Sequence, residues 1–216
     1  MAELLIVRHG QASFGADNYD ELSDLGRQQS RALGETLRGL DWVPDRMITG
    51  SLMRQKQTLE EMGFAGSGEV HDGWNEYDFH DLLHSRYGGQ APSDVITDRK
   101  THFRALKETL AEWQLGGISQ ARESWDQFRN RVEQARLSAI STEAERVLVV
   151  SSGGAIARLV AASLAMPNDQ MVALNLQIKN TSTSRFVFSR EKFFLHEFNS
   201  VPHFHNLERA ALMTYS

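Results

Sequence analysis

An arginine and a histidine stand side by side at the end of an apolar run, Leu5-Ile6-Val7-Arg8-His9-Gly10. Packing gives a buried strand no use for two adjacent basic residues. What they share is the ability to hold and attack a phosphoryl group. Arg8 offers a planar fork of donors matched to phosphate oxygens. His9 offers an imidazole that can serve as nucleophile or as acid and base near neutral pH. Gly10 carries no side chain, so backbone N–H groups can approach an anion closely. A strand end carrying ordinary surface basic residues is the alternative, and the tripeptide alone does not exclude it.

The surrounding pattern supplies elements to position such a group. Glu3 to Val7 reads as a strand whose continuous apolar character suits a parallel strand covered on both faces. A polar loop runs from Gln11 to Glu21. Ser23 or Asp24 then caps a helix on which Leu25, Ala32, Leu33, Thr36, Leu37 and Leu40 recur, with Gly39 near its stop. Arg46 to Thr49 is a short second strand, and Ser51 starts a helix with Leu52, Gln55, Leu59 and Met62 on one face.

Gly63 to Gly73 reads as loop, while the aromatics, acids and histidines from Trp74 to Ser85 give no clean periodicity. Phe103, Leu106, Leu110 and Trp113 mark one amphipathic helix; Trp125, Phe128, Val132, Ala135 and Ala139 mark another. Both tryptophans read as core rather than as a substrate platform. Arg146 to Ser151 is a second buried strand that breaks into Ser151-Ser152-Gly153-Gly154. A helix carrying Ile156, Leu159, Val160 and Leu164 follows, with Pro167 beyond its end. Asn175–Ile178, Ser184–Ser189 and Phe193–Phe198 read as short strands.

Strands alternating with helices predict a three-layer α/β/α fold around a mostly parallel sheet, in one domain spanning 1–216. A helical insertion at about 80–122 caps the carboxyl ends of the strands. Ligands of such sheets bind at those ends, where both Arg8-His9 and Ser151–Gly154 fall.

Composition removes several classes of function. The net charge is −5 and no block of lysines and arginines forms, so nucleic acid is not an expected partner. There is no cysteine, hence no disulfide framework and no thiolate zinc site. No apolar run approaches the roughly 20 residues that span a bilayer. The amino terminus enters a strand pattern at once, without a signal peptide's basic and apolar regions. A cytoplasmic protein without membrane partners is the expectation, and its oligomeric state is left open. His80 and His84, four apart, and the alternating His203-Phe204-His205 could be taken for metal pairs. Neither has the rest of a metal motif, so no metal is expected.

Five segments together resemble the histidine phosphatase (phosphoglycerate mutase-like) superfamily. They are Arg8-His9-Gly10, Leu22-Ser23-Asp24-Leu25-Gly26, Thr49 to Thr58 with Ser51 three residues before Arg54, Trp74-Asn75-Glu76-Tyr77-Asp78, and Val150 to Gly154. They occur in the family's order and cover the chain from end to end. The resemblance implies that His9 is the nucleophile accepting the phosphoryl group, with Arg8 and Arg54 as the guanidinium clamp. Two fixed cations facing the transferred group suit a reaction that depends on positioning and charge stabilisation. It implies Glu76 as proton donor to the leaving oxygen, although spacing alone does not choose between Glu76 and Asp78. It implies no metal or organic cofactor, and a small phosphorylated substrate or inorganic phosphate as ligand.

The chain departs from the family at one position. A second histidine usually precedes the two glycines, and here that residue is Ser152. A neutral hydroxyl replaces a cation, while the backbone of Gly153 and Gly154 at a helix start still favours an anion. Ser152 and Gly153 are therefore expected in the phosphate-binding set, with His80 or His203 as possible replacements for the missing charge. Phosphomonoester hydrolysis is the first reading, a phosphoglycerate mutase-type transfer the second, and a non-catalytic phospholigand-binding protein the third.

Overall fold

The computed structural model describes residues 2–13, 20–93, 95, 98–189, 191–205 and 207–215. In chain order these form β1 (Ala2–Arg8), α1 (Asp24–Gly39), β2 (Arg46–Thr49), α2 (Met53–Glu61) and β3 (Glu69–Val70). A 3-10 turn (Asp72–Trp74), α3 (Phe79–Arg86), α4 (Arg99–Gln114) and α5 (Trp125–Ile140) follow. Then come β4 (Arg146–Ser151), α6 (Gly153–Ser163), α7 (Asn168–Asn175), β5 (Thr183–Phe188), β6 (Phe193–Ser200), a second 3-10 turn (Pro202–Phe204) and α8 (Leu207–Ala210).

Among the described residues the strands make one six-stranded sheet in the order β3-β2-β4-β1-β5-β6. The first four are mutually parallel, while β5 runs antiparallel to both β1 and β6. The sheet is thus mostly parallel, extended by one antiparallel hairpin. Side chains of β1 alternate between the two faces, as the two-residue period of a strand requires. Leu4 and Ile6 join Val147, Val149 and Phe186 against Phe128 and Val132 of α5, Ile156 and Leu159 of α6 and Met171 of α7. Leu5 and Val7 join Leu148 and Val150 against Leu33 and Leu37 of α1 and Leu59 of α2. Burial of each such side chain is worth about 1.5–3 kcal/mol. These two cores make the layers of the expected α/β/α sandwich and hold the ends of β1 and β4 rigid beside each other.

Ser23 is the cap of α1, its side chain accepting from Gly26 N. Trp113, Trp125, Phe128 and Tyr77 form one aromatic cluster, with ring centroids 5.2–5.7 Å apart. Both tryptophans are core, as expected.

Three expectations need correction. Glu69–Val70, placed in a loop, pairs with Ile48 and Thr49 as the edge strand. Its two residues are exposed and held through the backbone, so no apolar alternation marks them. Asn175–Ile178 is not a strand: α7 ends at Asn175, and a helix with two buried side chains, Met171 and Val172, leaves little amphipathic signal. Finally, α2 begins at Met53 rather than Ser51, whose backbone N–H bonds to the Asn75 side chain. The unassigned stretch after Trp74 contains α3, capped by Asp78. Of the expected cap, α3 and α4 lie among the described residues, whereas 94, 96 and 97 lie outside them.

Candidate active site

Register brings the two strand ends together. Arg8 pairs with Ser151 across β1 and β4, and His9 N donates to Ser151 O at 2.9 Å. The chain leaves the sheet there, so His9 and Ser152 sit beside one another at the carboxyl edge. Both Arg8 and His9 are buried.

The imidazole of His9 is held at both nitrogens. Nδ1 lies 2.7 Å from the carbonyl oxygen of Gly10. A carbonyl only accepts, so Nδ1 carries the proton and Nε2 bears the lone pair. Arg54 Nε donates to Nε2 at 3.2 Å. Burial, followed by the charges of Arg54 and Arg8, pushes the His9 pKa well below the usual imidazole range. His9 is therefore held as a neutral imidazole whose Nε2 lone pair is turned toward Arg54.

Gly10 acts differently from its reading in the sequence. Its N–H is taken by Thr58 Oγ1 at 2.9 Å. What glycine permits is the close approach of α1, since a β-carbon would stand 2.5 Å from the carbonyl oxygen of Gly26.

The two arginines near the histidine stand on different elements. Arg8 NH1 donates to the carbonyl of Ile178, beyond α7. Arg54, in the first turn of α2, also donates through NH1 to Asp20 Oδ1 at 2.6 Å, while Asp20 Oδ2 accepts from Met53 N. Asp20 thus aims the guanidinium and stabilises the start of α2. No pattern in the sequence marks Asp20, because the contact spans 34 residues.

Glu76 enters from the segment after the Asp72–Trp74 turn. Its carboxylate accepts from Gly154 N through both oxygens, at 3.1 and 3.0 Å. It therefore occupies an amide at the start of α6 that a bound anion would use. Gly153 lies against Arg8, for a β-carbon there would be 3.6 Å from the guanidinium carbon. Arg131 of α5 steadies the segment by donating to the carbonyls of Gly73, Asn75 and Glu76 at 2.8–3.2 Å. Asn75 ties the same segment to Ser51 with two hydrogen bonds of 2.8 Å. Asp78 is exposed and caps α3 by accepting from Asp81 N.

Ser152 is wholly buried, and its Oγ accepts from Gln55 Nε2 at 2.9 Å. His80 is exposed on α3. Buried His203 stands behind the strand end, with Nε2 2.8 Å from Thr181 Oγ1. Burial, then Arg209 and His205, brings its pKa down to about 3. Neither histidine supplies a cation at Ser152; the partner there is Gln55. Backbone support for His9 comes from Asn180, whose Nδ2 donates to His9 O at 3.3 Å, and from Thr181 N, which donates to Arg8 O at 3.1 Å. Among the described residues no group of three or more His, Asp or Glu side chains is arranged to hold a metal ion, and no helix is long and apolar enough to cross a membrane.

The mostly parallel α/β sandwich thus carries, at the ends of its strands, a buried neutral histidine with two arginines nearby, an arrangement suited to holding a phosphoryl group. The family profile of the histidine phosphatase superfamily (branch 1) matches residues 4–201, and the chain belongs to that superfamily. Solved structures share the fold. A mutant of the phosphoserine phosphatase from Entamoeba histolytica, in complex with phosphoserine, aligns with a TM-score of 0.69 at 18% identity over 94% of this chain and 99% of that one. The mycobacterial glucosyl-3-phosphoglycerate phosphatase aligns at 0.68 and 22% identity over 93% and 99%. The α-ribazole phosphatase of Shigella flexneri aligns at 0.67 and 22% over 92% and 96%. No curated protein sequence matches the chain.

Proposed function

We propose that this protein hydrolyses a small phosphomonoester through a phosphohistidine at His9. The observation that carries the reading is the neutral imidazole, with Nδ1 committed to Gly10 O and Nε2 facing Arg54. In the first step Nε2 attacks phosphorus in line and the bond to the ester oxygen breaks. The phosphorylated ring then carries a positive charge, which the Nδ1–H bond to Gly10 O stabilises. Arg8, Arg54 and the backbone at Gly153 hold the phosphoryl oxygens. Glu76 gives its proton to the leaving oxygen, releasing the alcohol. In the second step Glu76 takes a proton from water as that water attacks phosphorus. The N–P bond breaks, inorganic phosphate leaves, and His9 is neutral again.

For phosphate to use Gly154 N, Glu76 must turn away from it. The placement of Glu76 at α6 favours it over Asp78, which is committed to α3.

The chain is read as one domain, with residues 80–122 as a helical cap. A cavity of about 320 Å³ beside Glu76 and Asp78 is lined by Asp81, Leu82, Trp113 and Arg122 from that region. We assign the part of the substrate beyond the ester oxygen to this cavity, which Glu76 borders. The neighbouring phosphatases are named for small phosphorylated compounds, which supports the same substrate class here.

The neutral surroundings of Ser152 favour a second reading, phosphate binding without turnover. Release of aryl alcohol and phosphate from an aryl phosphate, lost in His9→Ala, supports the enzyme. Phosphate binding with no release by the wild-type protein supports the binder.

A further inference from the structure

The residue beside the nucleophile that departs from the family has a partner of its own. Ser152 and Gln55 are both 0% exposed. Gln55 directly follows Arg54 on α2, and its Nε2 donates to Trp74 O and to Ser152 Oγ, each at 2.9 Å. The Trp74 carbonyl can only accept, which settles the orientation of the amide. Gln55 Oε1 has no hydrogen-bond partner and is packed on Gly50, where a β-carbon would lie 2.0 Å from it. A buried amide with one end unsatisfied carries a desolvation cost, which the two bonds made by Nε2 offset. Ser152, although at the cap position of α6, makes no capping bond; Gly154 N belongs to Glu76. The serine hydroxyl instead receives Gln55.

We propose that Gln55 and Ser152 form a buried neutral tie that positions Arg54 against the start of α6 and fills the room an imidazole at position 152 would need. This rests on the phosphatase reading, because it concerns the same site. Sealed from solvent, the pair does not touch substrate, and Gln55 is a positioning residue. The tie joins the two halves of the anion site: the Arg54–His9 contact lies one residue from Gln55, and the Gly153 and Gly154 amides directly follow Ser152. It follows that Ser152→His alone does not restore a cation to the pocket. The larger ring collides with the Gln55 amide, and core overpacking displaces neighbours that are already close-packed. A histidine at 152 requires Gln55 to be shortened as well.

The test compares wild type, Gln55→Ala, Ser152→His and the double variant. It measures thermal unfolding, calorimetric binding of inorganic phosphate, and the pH dependence of kcat/KM on an aryl phosphate. Each single change is expected to lower the unfolding midpoint and weaken phosphate binding. The double variant is expected to recover most of the midpoint and to exceed the better single variant in turnover by about tenfold or more, as for a regained donor. Its pH profile gains an ionisation in the imidazole range, which repacking alone does not produce. Additive losses in the double variant would overturn the proposal. So would a Ser152→His protein as stable as wild type, since the room at 152 would then be open. If even wild type turns over no aryl phosphate, the phosphatase reading fails, while unfolding and phosphate binding still decide for or against the tie.

Discussion

Arg54 Nε donates to His9 Nε2 across 3.2 Å, so the cation that would hold the transferred group already points at the atom that would attack it. Burial first, and then the charges of Arg54 and Arg8, disfavours a proton on the imidazole. In the proposed reaction phosphate takes the Arg54 N–H from Nε2 and frees the lone pair, so binding and attack would be linked through one side chain.

Arg54→Ala is expected to weaken phosphate binding by about 10- to 150-fold, the equivalent of one charge-assisted hydrogen bond at about 1.5–3 kcal/mol. Arg54→Lys recovers only part, since a point charge does not reproduce the fork. Removing the guanidinium also lets His9 take a proton at higher pH, so the acid limb of kcat/KM moves upward in Arg54→Ala. Calorimetry and a pH–rate profile check the two effects. An unchanged phosphate affinity would remove Arg54 from the site.

Glu76→Gln should slow hydrolysis most for esters of poor leaving groups and least for activated aryl phosphates, which depart without a proton. A leaving-group series measures this as a steeper dependence of kcat/KM on leaving-group pKa. Equal losses across the series would leave Glu76 a positioning role and return the proton to Asp78 or another group.

The protein should lose stability as pH falls below about 6.5, the ordinary histidine value. His9 and His203 both have lowered pKa values in the folded chain. Between the unfolded and folded values only the unfolded state binds these protons, so stability rises with pH through that window. For His203 the window runs from about 6.5 down to about 3, and the slope approaches about 1.4 kcal/mol per pH unit for one group. His203→Gln should flatten the acid side of the unfolding midpoint plotted against pH. An unaltered slope would show that His203 is protonated in the fold.

The sequence displayed the parts of the site that lie on strong local patterns. The apolar runs before Arg8-His9 and before Ser151 demanded buried strands, and the register of β1 with β4 brings those ends together. Glu76 was legible only through the family motif, because the segment around it has no periodicity; Arg131 and Asn75 hold it in place. The roles of Asp20, Asn180 and Gln55 leave no mark in the sequence for a different reason. Asp20 and Asn180 act through contacts between residues 34 and 171 apart in the chain, and Gln55 reads simply as part of a helix face. The missing side chain of Gly10 serves the packing of α1 and not an anion's approach to its backbone, for Thr58 holds its N–H.

The most direct measurement is to mix the protein with an aryl phosphate, quench within the first turnover and locate the phosphoryl group by peptide mass spectrometry under alkaline conditions. An acid-labile phosphoryl group on the His9 ring, absent in His9→Ala, is the expected result. A wild-type protein that releases phosphate with no phosphoryl group on His9 at any time, or a His9→Ala variant that turns over within a few-fold of it, would contradict the phosphohistidine mechanism.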